Sequence, residues 1–328
     1  MAGKSYSYAV LEGVAQEMRS NPHLTIIYEY QIPISVSPDG VLLNLVDEFG
    51  DVRTAGRWGW PLDEAFYGGW AVGMGMSGVK AIAHMPNMAH LHIVEYMYQQ
   101  GAKLRAMTGG QATLPIVMWV DIAGRGPGKA AQHADAGEEY IYCGMPGLKV
   151  VCPSNAYDAK GLMIAAIRDP DPVVFLDYPR GMSGEQPDVP DEAYALEIGP
   201  ATILQEGDDL TIAGWADALV QIKNALPDIE AAGISAEVID FKTLKPLDVD
   251  TLVSSVSKTK KLLVVDHGFY TNSYSSHVIS EAAQNVPGAM FKKITFPDAP
   301  APFCREMINW MMPDGPKVVD AAIQMAAM

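Results

Sequence analysis

The stretch Gly59-Trp-Pro-Leu-Asp-Glu-Ala-Phe-Tyr-Gly-Gly-Trp-Ala-Val-Gly-Met-Gly-Met-Ser-Gly78 constrains this chain most, because it sets one carboxylate, Glu64, at the mouth of an otherwise apolar, glycine-rich helix. A loop ending in Pro61, an acidic first turn at Asp63 and Glu64, and Gly68, Gly69, Gly73, Gly75 and Gly78 describe a helix that starts abruptly and is approached closely by other backbone. The run Gly73-Met-Gly-Met-Ser-Gly78 spells the dinucleotide fingerprint, but that motif must follow a strand and open a helix. Here the apolar strand pattern of residues 80–84 comes after it, and the nucleotide reading is rejected.

Around this helix the hydrophobic pattern alternates. Residues 5–18 have helical periodicity, and 24–28 read as a buried strand closed by Glu29. Residues 31–57 are irregular, with a helix-like segment at 41–49. Strands are predicted at 80–85, 114–120, 148–152 and 172–177, with helices at 89–107 and 156–168 and a glycine-rich loop at 121–132 ahead of a short helix. Short, almost wholly apolar strands alternating with helices indicate a parallel sheet covered on both faces. The aperiodic stretch 179–200 reads as a linker. A second α/β domain follows, with strands at 209–213, 236–239, 261–265 and 292–296, helices at 216–229, 249–257 and 273–284, and a final helix from 316. The expected organisation is a first domain at 1–185, a linker at 186–199 and a second domain at 200–328.

The balance of charge narrows the partners. A formal net charge of −16 repels nucleic acid and anionic membranes, which leaves small molecules and other proteins. Cys143, Cys152 and Cys304 are too few and too scattered for a disulfide framework or a zinc site. With no apolar signal segment and no run long enough to span a bilayer, the chain is expected in the cytoplasm.

Three groups of residues could carry chemistry. Glu64 is the first, against the plain alternative of a solvated acid that complements the helix dipole. His133 ends the glycine-rich loop after a strand, where open parallel sheets place ligands, although a lone histidine is more often simply packed. The run Ala83-His-Met-Pro-Asn-Met-Ala-His-Leu-His92 brings His84, His90 and His92 to the same sheet edge. His90 and His92 do not share a helix face, so hydrogen bonding to substrate or packing is preferred there over a metal.

Ordered motifs then carry a resemblance. Pro61-Leu-Asp-Glu64, Gly109-Gly-Gln111, Ala130-Ala-Gln-His133, Pro146-Gly-Leu-Lys-Val-Val151, Asp158-Ala-Lys-Gly-Leu162, Ala166-Ile-Arg-Asp169 and Pro172-Val-Val-Phe-Leu176 occur in the order and spacing of one family, followed by Val264-Val-Asp-His-Gly268 and Asp298-Ala-Pro-Ala-Pro302. The chain resembles the beta subunits of thiamine-diphosphate-dependent 2-oxo acid dehydrogenases, the pyruvate, branched-chain and acetoin group of the transketolase superfamily. The resemblance implies two parallel-sheet α/β domains, a pyrimidine-binding domain and a transketolase C-terminal-like domain. It implies that Glu64 hydrogen-bonds the cofactor's aminopyrimidine and favours the imino tautomer that acts as internal base. It implies that His133 faces the reacting carbon, that Glu29, Asn87 and His84 line the cofactor, and that the turn at Asp169 wraps a monovalent cation such as K+, mostly through backbone oxygens.

Nothing in the chain resembles the superfamily's diphosphate and magnesium motif, Gly-Asp-Gly followed by an asparagine. The resemblance therefore implies an alpha subunit that holds the diphosphate and Mg2+, in an α2β2 heterotetramer, and a lipoyl acyltransferase as onward acceptor. The chain departs from the family where His84, Asn87, Ala89 and His90 replace acidic and aromatic residues, and where Ala134 and Asp135 follow His133. A more polar pocket suits a hydroxylated or bulkier substrate than pyruvate, with His90, His92 and Asp135 as its contacts. The expected activity is decarboxylation of a 2-oxo acid or cleavage of an acyloin through a cofactor-bound carbanion. The alternatives are a split transketolase or carboligase that passes its fragment to an aldehyde, and a structural subunit without chemistry.

Overall fold

A run of buried apolar residues can satisfy its backbone only by pairing with neighbours of the same kind. The computed structural model realises this twice, and it describes residues 3–28, 34–55, 63–86, 92–122, 139–179, 182 and 184–328. The chain divides into two units, Met1–Ala123 with Tyr142–Ile198, and Gly124–Ile141 with Gly199–Met328. The expected α/β class with mostly parallel sheets is what the chain adopts. No helix among the described residues is long and apolar enough to cross a membrane.

The first part of the chain runs α1 (Tyr6–Ser20), β1 (Thr25–Tyr28), β2 (Ile34–Val36), β3 (Leu42–Asn44), α2 (Leu45–Phe49), β4 (Thr54–Ala55), α3 (Glu64–Met76), β5 (Ala81–Pro86), a π-helical segment Tyr96–Ala102, α4 (Leu104–Met107), β6 (Ile116–Asp121), α5 (Glu139–Cys143), β7 (Lys149–Val151), α6 (Ala156–Arg168) and β8 (Val173–Asp177). Within the first unit the sheet order is β7-β8-β6-β5-β1-β4, every pair parallel. The helix expected at 41–49 is half strand. Residues 42–44 pair with β2 in a hairpin, and Asn44 then accepts from the Val46 amide at 3.0 Å, so that one side chain ends the strand and caps α2. The single long helix expected at 89–107 is a π-helical segment followed by the short α4, and its first residues, 89–91, lie outside the described ones.

Alternation along the strands divides the sheet into two faces with different jobs. One row across the sheet, Tyr28, His84, Trp119 and Phe175, is followed two residues on by Asp121 and Asp177, all on the face that α1 covers with Tyr6. The opposite face carries Ile116, against which Gly75 of α3 packs so closely that a Cβ there would lie 2.8 Å from Ile116 Cγ2.

The α1 face holds an unusual polar row. The His84 ring lies 4.2 Å from that of Trp119, and Trp119 Nε1 donates to Asp177 Oδ2 at 2.7 Å. Burial pushes the His84 imidazole down to about 4. Burial, reinforced by the charge of Asp121, pushes the Asp177 carboxyl up to about 8.

Farther along, the stretch 179–200 contains no helix or strand among its described residues, yet it is fastened to the first unit. Lys160 is fully buried, with its Nζ 2.8 Å from Glu12 Oε2 and 2.6 Å from the Pro190 carbonyl. Tyr194 stacks on Tyr157, and the Leu196 amide donates to the Gly161 carbonyl at 3.1 Å.

The second part comprises β9 (Thr202–Gln205), β10 (Leu210–Gly214), α7 (Ala216–Ala231), β11 (Ala236–Asp240), β12 (Thr243–Lys245), α8 (Val249–Thr259), β13 (Lys261–Phe269), α9 (Ser275–Asn285), β14 (Met290–Phe296), α10 (Arg305–Met311) and α11 (Gly315–Ala326). The strand order β14-β13-β10-β11-β9 is parallel except for the edge strand β9, which runs antiparallel to β11. Leu219 and Ile222 of α7 and Val318 and Ala322 of α11 bury their apolar faces on Ile212, Leu263 and Val265. At the head of α7, Ala216 adopts φ of 47°, and the next residue, Asp217, meets the buried His267 of β13 with 2.5 Å between Oδ1 and Nδ1.

His84 and Asp177 should give the first unit opposing pH dependences. The folded chain resists a proton on His84 that the unfolded chain takes below 6.5, so stability falls as pH drops from 6.5 towards 4. On Asp177 the folded chain keeps a proton that the unfolded chain loses above 3.8, so stability falls as pH rises from about 4 to about 8. Each slope is about 1.4 kcal/mol per pH unit when one full proton is involved. Urea midpoints between pH 4 and 8 should therefore decline steadily in His84→Leu. In Asp177→Asn they should rise to pH 6.5 and then level off.

Candidate active site

Two acids stand at the start of α3, and the structure gives them different work. Asp63 is the N-cap, with extended backbone and Oδ1 accepting from the Phe66 amide at 3.2 Å. Glu64 is the first helical residue and makes no side-chain bond to the local backbone among the described residues. Its Oε2 lies 3.2 Å from Nδ1 of His92, 28 residues farther on, and Oε1 has no partner among the described residues. The Glu64 side chain retains 18% of its surface and that of His92 69%, so a half-sheltered acid is joined to a largely solvated imidazole.

The glycines of α3 explain the meeting. Gly68 lies one turn after Glu64 on the same helix face. A Cβ at Gly68 would fall 2.8 Å from Ile93 Cβ and 3.2 Å from the Tyr96 ring, so only glycine lets the segment entering the π-helix come this near. His92 immediately precedes Ile93 and is carried to Glu64 by that contact. A π-helical turn beside such a contact is a feature often found at functional sites.

The other expected site residues fare differently. His84 sits against Trp119 on the α1 face of the sheet, away from the face that carries α3, and the structure does not bring it to Glu64. Its ring is buried in that row. His92, an expected substrate contact, lies within hydrogen-bonding distance of Glu64. Both carboxylate oxygens of Asp169 accept from Lys149 Nζ at 2.7 and 2.6 Å, and Oδ1 also accepts from the Asp171 amide. Its side chain is thus occupied, and a cation at this turn would have to take backbone oxygens. Glu29, Asn87, His90, His133 and Asp135 lie outside the described residues. Among the described residues, no three His, Cys, Asp or Glu side chains converge on a possible metal position.

No local pattern announces the pairing of Glu64 with His92. The contact depends on a separation of 28 residues and on a glycine whose importance lies in what it lacks.

The family described as transketolase, pyrimidine binding domain matches residues 5–183, and transketolase, C-terminal domain matches residues 199–318. The chain is similar to the acetoin:2,6-dichlorophenolindophenol oxidoreductase subunit beta of Cupriavidus necator, with 32% identity over 332 residues, 97% of this chain and 96% of the relative. It is 31% identical over 326 residues to the pyruvate dehydrogenase E1 component subunit beta of Bacillus subtilis, with 98% of both chains covered. A solved structure described as a split gene transketolase, inactive beta4 tetramer, superposes with a TM-score of 0.78 over 99% of both chains at 20% identity, a likeness of fold.

Gly68→Ala should separate α3 from Ile93. The added methyl has nowhere to go without backbone movement, and the cost should be about 1–3 kcal/mol in unfolding free energy. Gly73→Ala, where a Cβ meets nothing within 4 Å among the described residues, should be neutral or stabilising in the same urea titration.

Proposed function

The chain belongs to the family of beta subunits of thiamine-diphosphate-dependent 2-oxo acid and acetoin dehydrogenases, and on that premise we propose that Glu64 is its cofactor-activating acid in a site completed by an alpha subunit. The observation that carries this reading is the division of labour at α3. Asp63 satisfies the helix start, while the half-sheltered Glu64 keeps one carboxylate oxygen free among the described residues.

These residues fit the aminopyrimidine end of the cofactor. A carboxyl group with one open oxygen at an otherwise apolar helix can hold a proton against a ring nitrogen. When bound, thiamine diphosphate supplies the carbon nucleophile that takes up the acyl fragment of the substrate. Glu64 would keep the pyrimidine in the tautomer that removes a proton, and His133 would move a proton at the substrate-derived oxygen or carbon. The apolar body of α3 would exclude water from the pyrimidine. The diphosphate and Mg2+ belong to the alpha subunit in this reading, since the chain has no Gly-Asp-Gly and asparagine motif. The assembly is an α2β2 heterotetramer, and its substrate is a 2-oxo acid or an acyloin, with a lipoyl acyltransferase as onward partner.

Isothermal titration of thiamine diphosphate and Mg2+ into the chain, alone and co-expressed with its alpha partner, tests the shared site. Binding should occur only in the complex, and tight binding to the isolated chain would refute it. In the complex, Glu64→Gln should lower kcat by about 10²–10⁴ with 2-oxo acids and ferricyanide. Turnover with aldehyde acceptors but none with ferricyanide would transfer the chain to the carboligases.

A further inference from the structure

We infer that His92 is a positioning residue for Glu64, fixing which carboxylate oxygen faces the cofactor and joining that acid to solvent. This rests on the reading of Glu64 as the cofactor-facing acid. The two groups are 3.2 Å apart, and His92 is the one hydrogen-bonding partner of Glu64 among the described residues.

An ionised carboxylate is only an acceptor, so a bond at His92 Nδ1 requires the proton to sit on that nitrogen. With Oε2 held in this way, the carboxylate loses its rotation, and Oε1 is the atom left open among the described residues. The ordering is accomplished before any ligand arrives. Immobilising a free side chain opposes binding, so an acid already held should bind its ring partner more tightly. The imidazole is also the route by which a sheltered acid meets water, because 69% of the His92 side-chain surface is exposed against 18% for Glu64.

The arrangement is built into the fold. Gly68 admits Ile93 to van der Waals contact, and the residue before Ile93 then has little choice of position. His92 is one of two histidines of the run expected to contact substrate, and its ring lies against the acid.

Two measurements on different properties test the assignment. In the full chain labelled with 15N-histidine, long-range proton–nitrogen spectra above pH 8 should find His92 with its proton on Nδ1, and this signature should disappear in Glu64→Leu. A proton on Nε2 in the unsubstituted chain would overturn the assignment whatever Glu64 does. In the complex with the alpha subunit, His92→Ala should weaken thiamine diphosphate binding, measured with Mg2+ by tryptophan quenching, by about three- to tenfold. His92→Asn, whose amide can still donate to Oε2, should recover most of that loss. Unchanged binding in His92→Ala, with the Nδ1 signature present in the parent chain, would reduce the contact to an incidental one and overturn the proposal. Unchanged binding in Glu64→Gln would instead refute the role of Glu64 itself, and this proposal with it.

Discussion

The closeness of α3 to the segment that enters the π-helix is the contact on which the candidate site depends. A methyl group at Gly68 would overlap Ile93, so the absence of a side chain is the structural requirement. Because Glu64 precedes Gly68 by one turn, the same packing that joins the two elements selects the neighbour of the acid. An acid at a helix start normally serves the helix dipole or its cap. Here Asp63 takes the cap, and Glu64 is left to a partner from elsewhere in the chain.

The sheet separates this site from a different use of polar groups on its other face. His84, Trp119 and Asp177 form a buried row under α1, where exclusion of water keeps the imidazole neutral and the carboxyl protonated near neutral pH. Lys160, also buried, is matched by Glu12 and by carbonyls of the segment that leaves the first unit. Such groups are costly to bury, and a buried ion pair is weak evidence for net stability. The second unit repeats the device with Asp217 and His267, and with Asp266, which accepts from the Gly268 and Ser275 amides. Polar positions in the strands of this chain include buried, paired groups, of which His84 beside Trp119 is one.

Membership of the transketolase-type family accounts for the two sheets without dictating the site, since one fold supports many chemistries. One particular feature of this chain is the meeting of Glu64 of α3 with His92. The histidine run includes one ring buried against Trp119 and another 3.2 Å from the Glu64 carboxylate.

Sequence by itself determined the alternation of buried strands and helices, the two-unit α/β class, the start of α3 after Pro61, and the singular position of Glu64. These follow from local periodicity, capping chemistry and the cost of a charge among apolar residues, all of which operate over a few residues. It could not resolve the strand-to-helix switch at Asn44, the short edge strand β9, the π-helical turn within an expected continuous helix, or the way the aperiodic segment is tied down by Lys160. Above all it could not distinguish His84 from His92. Which of two similar histidines packs and which meets the acid depends on the face of the sheet each strand presents and on how near two helical elements approach. Only the tertiary structure fixes those two quantities, because both arise from contacts between residues far apart in the chain.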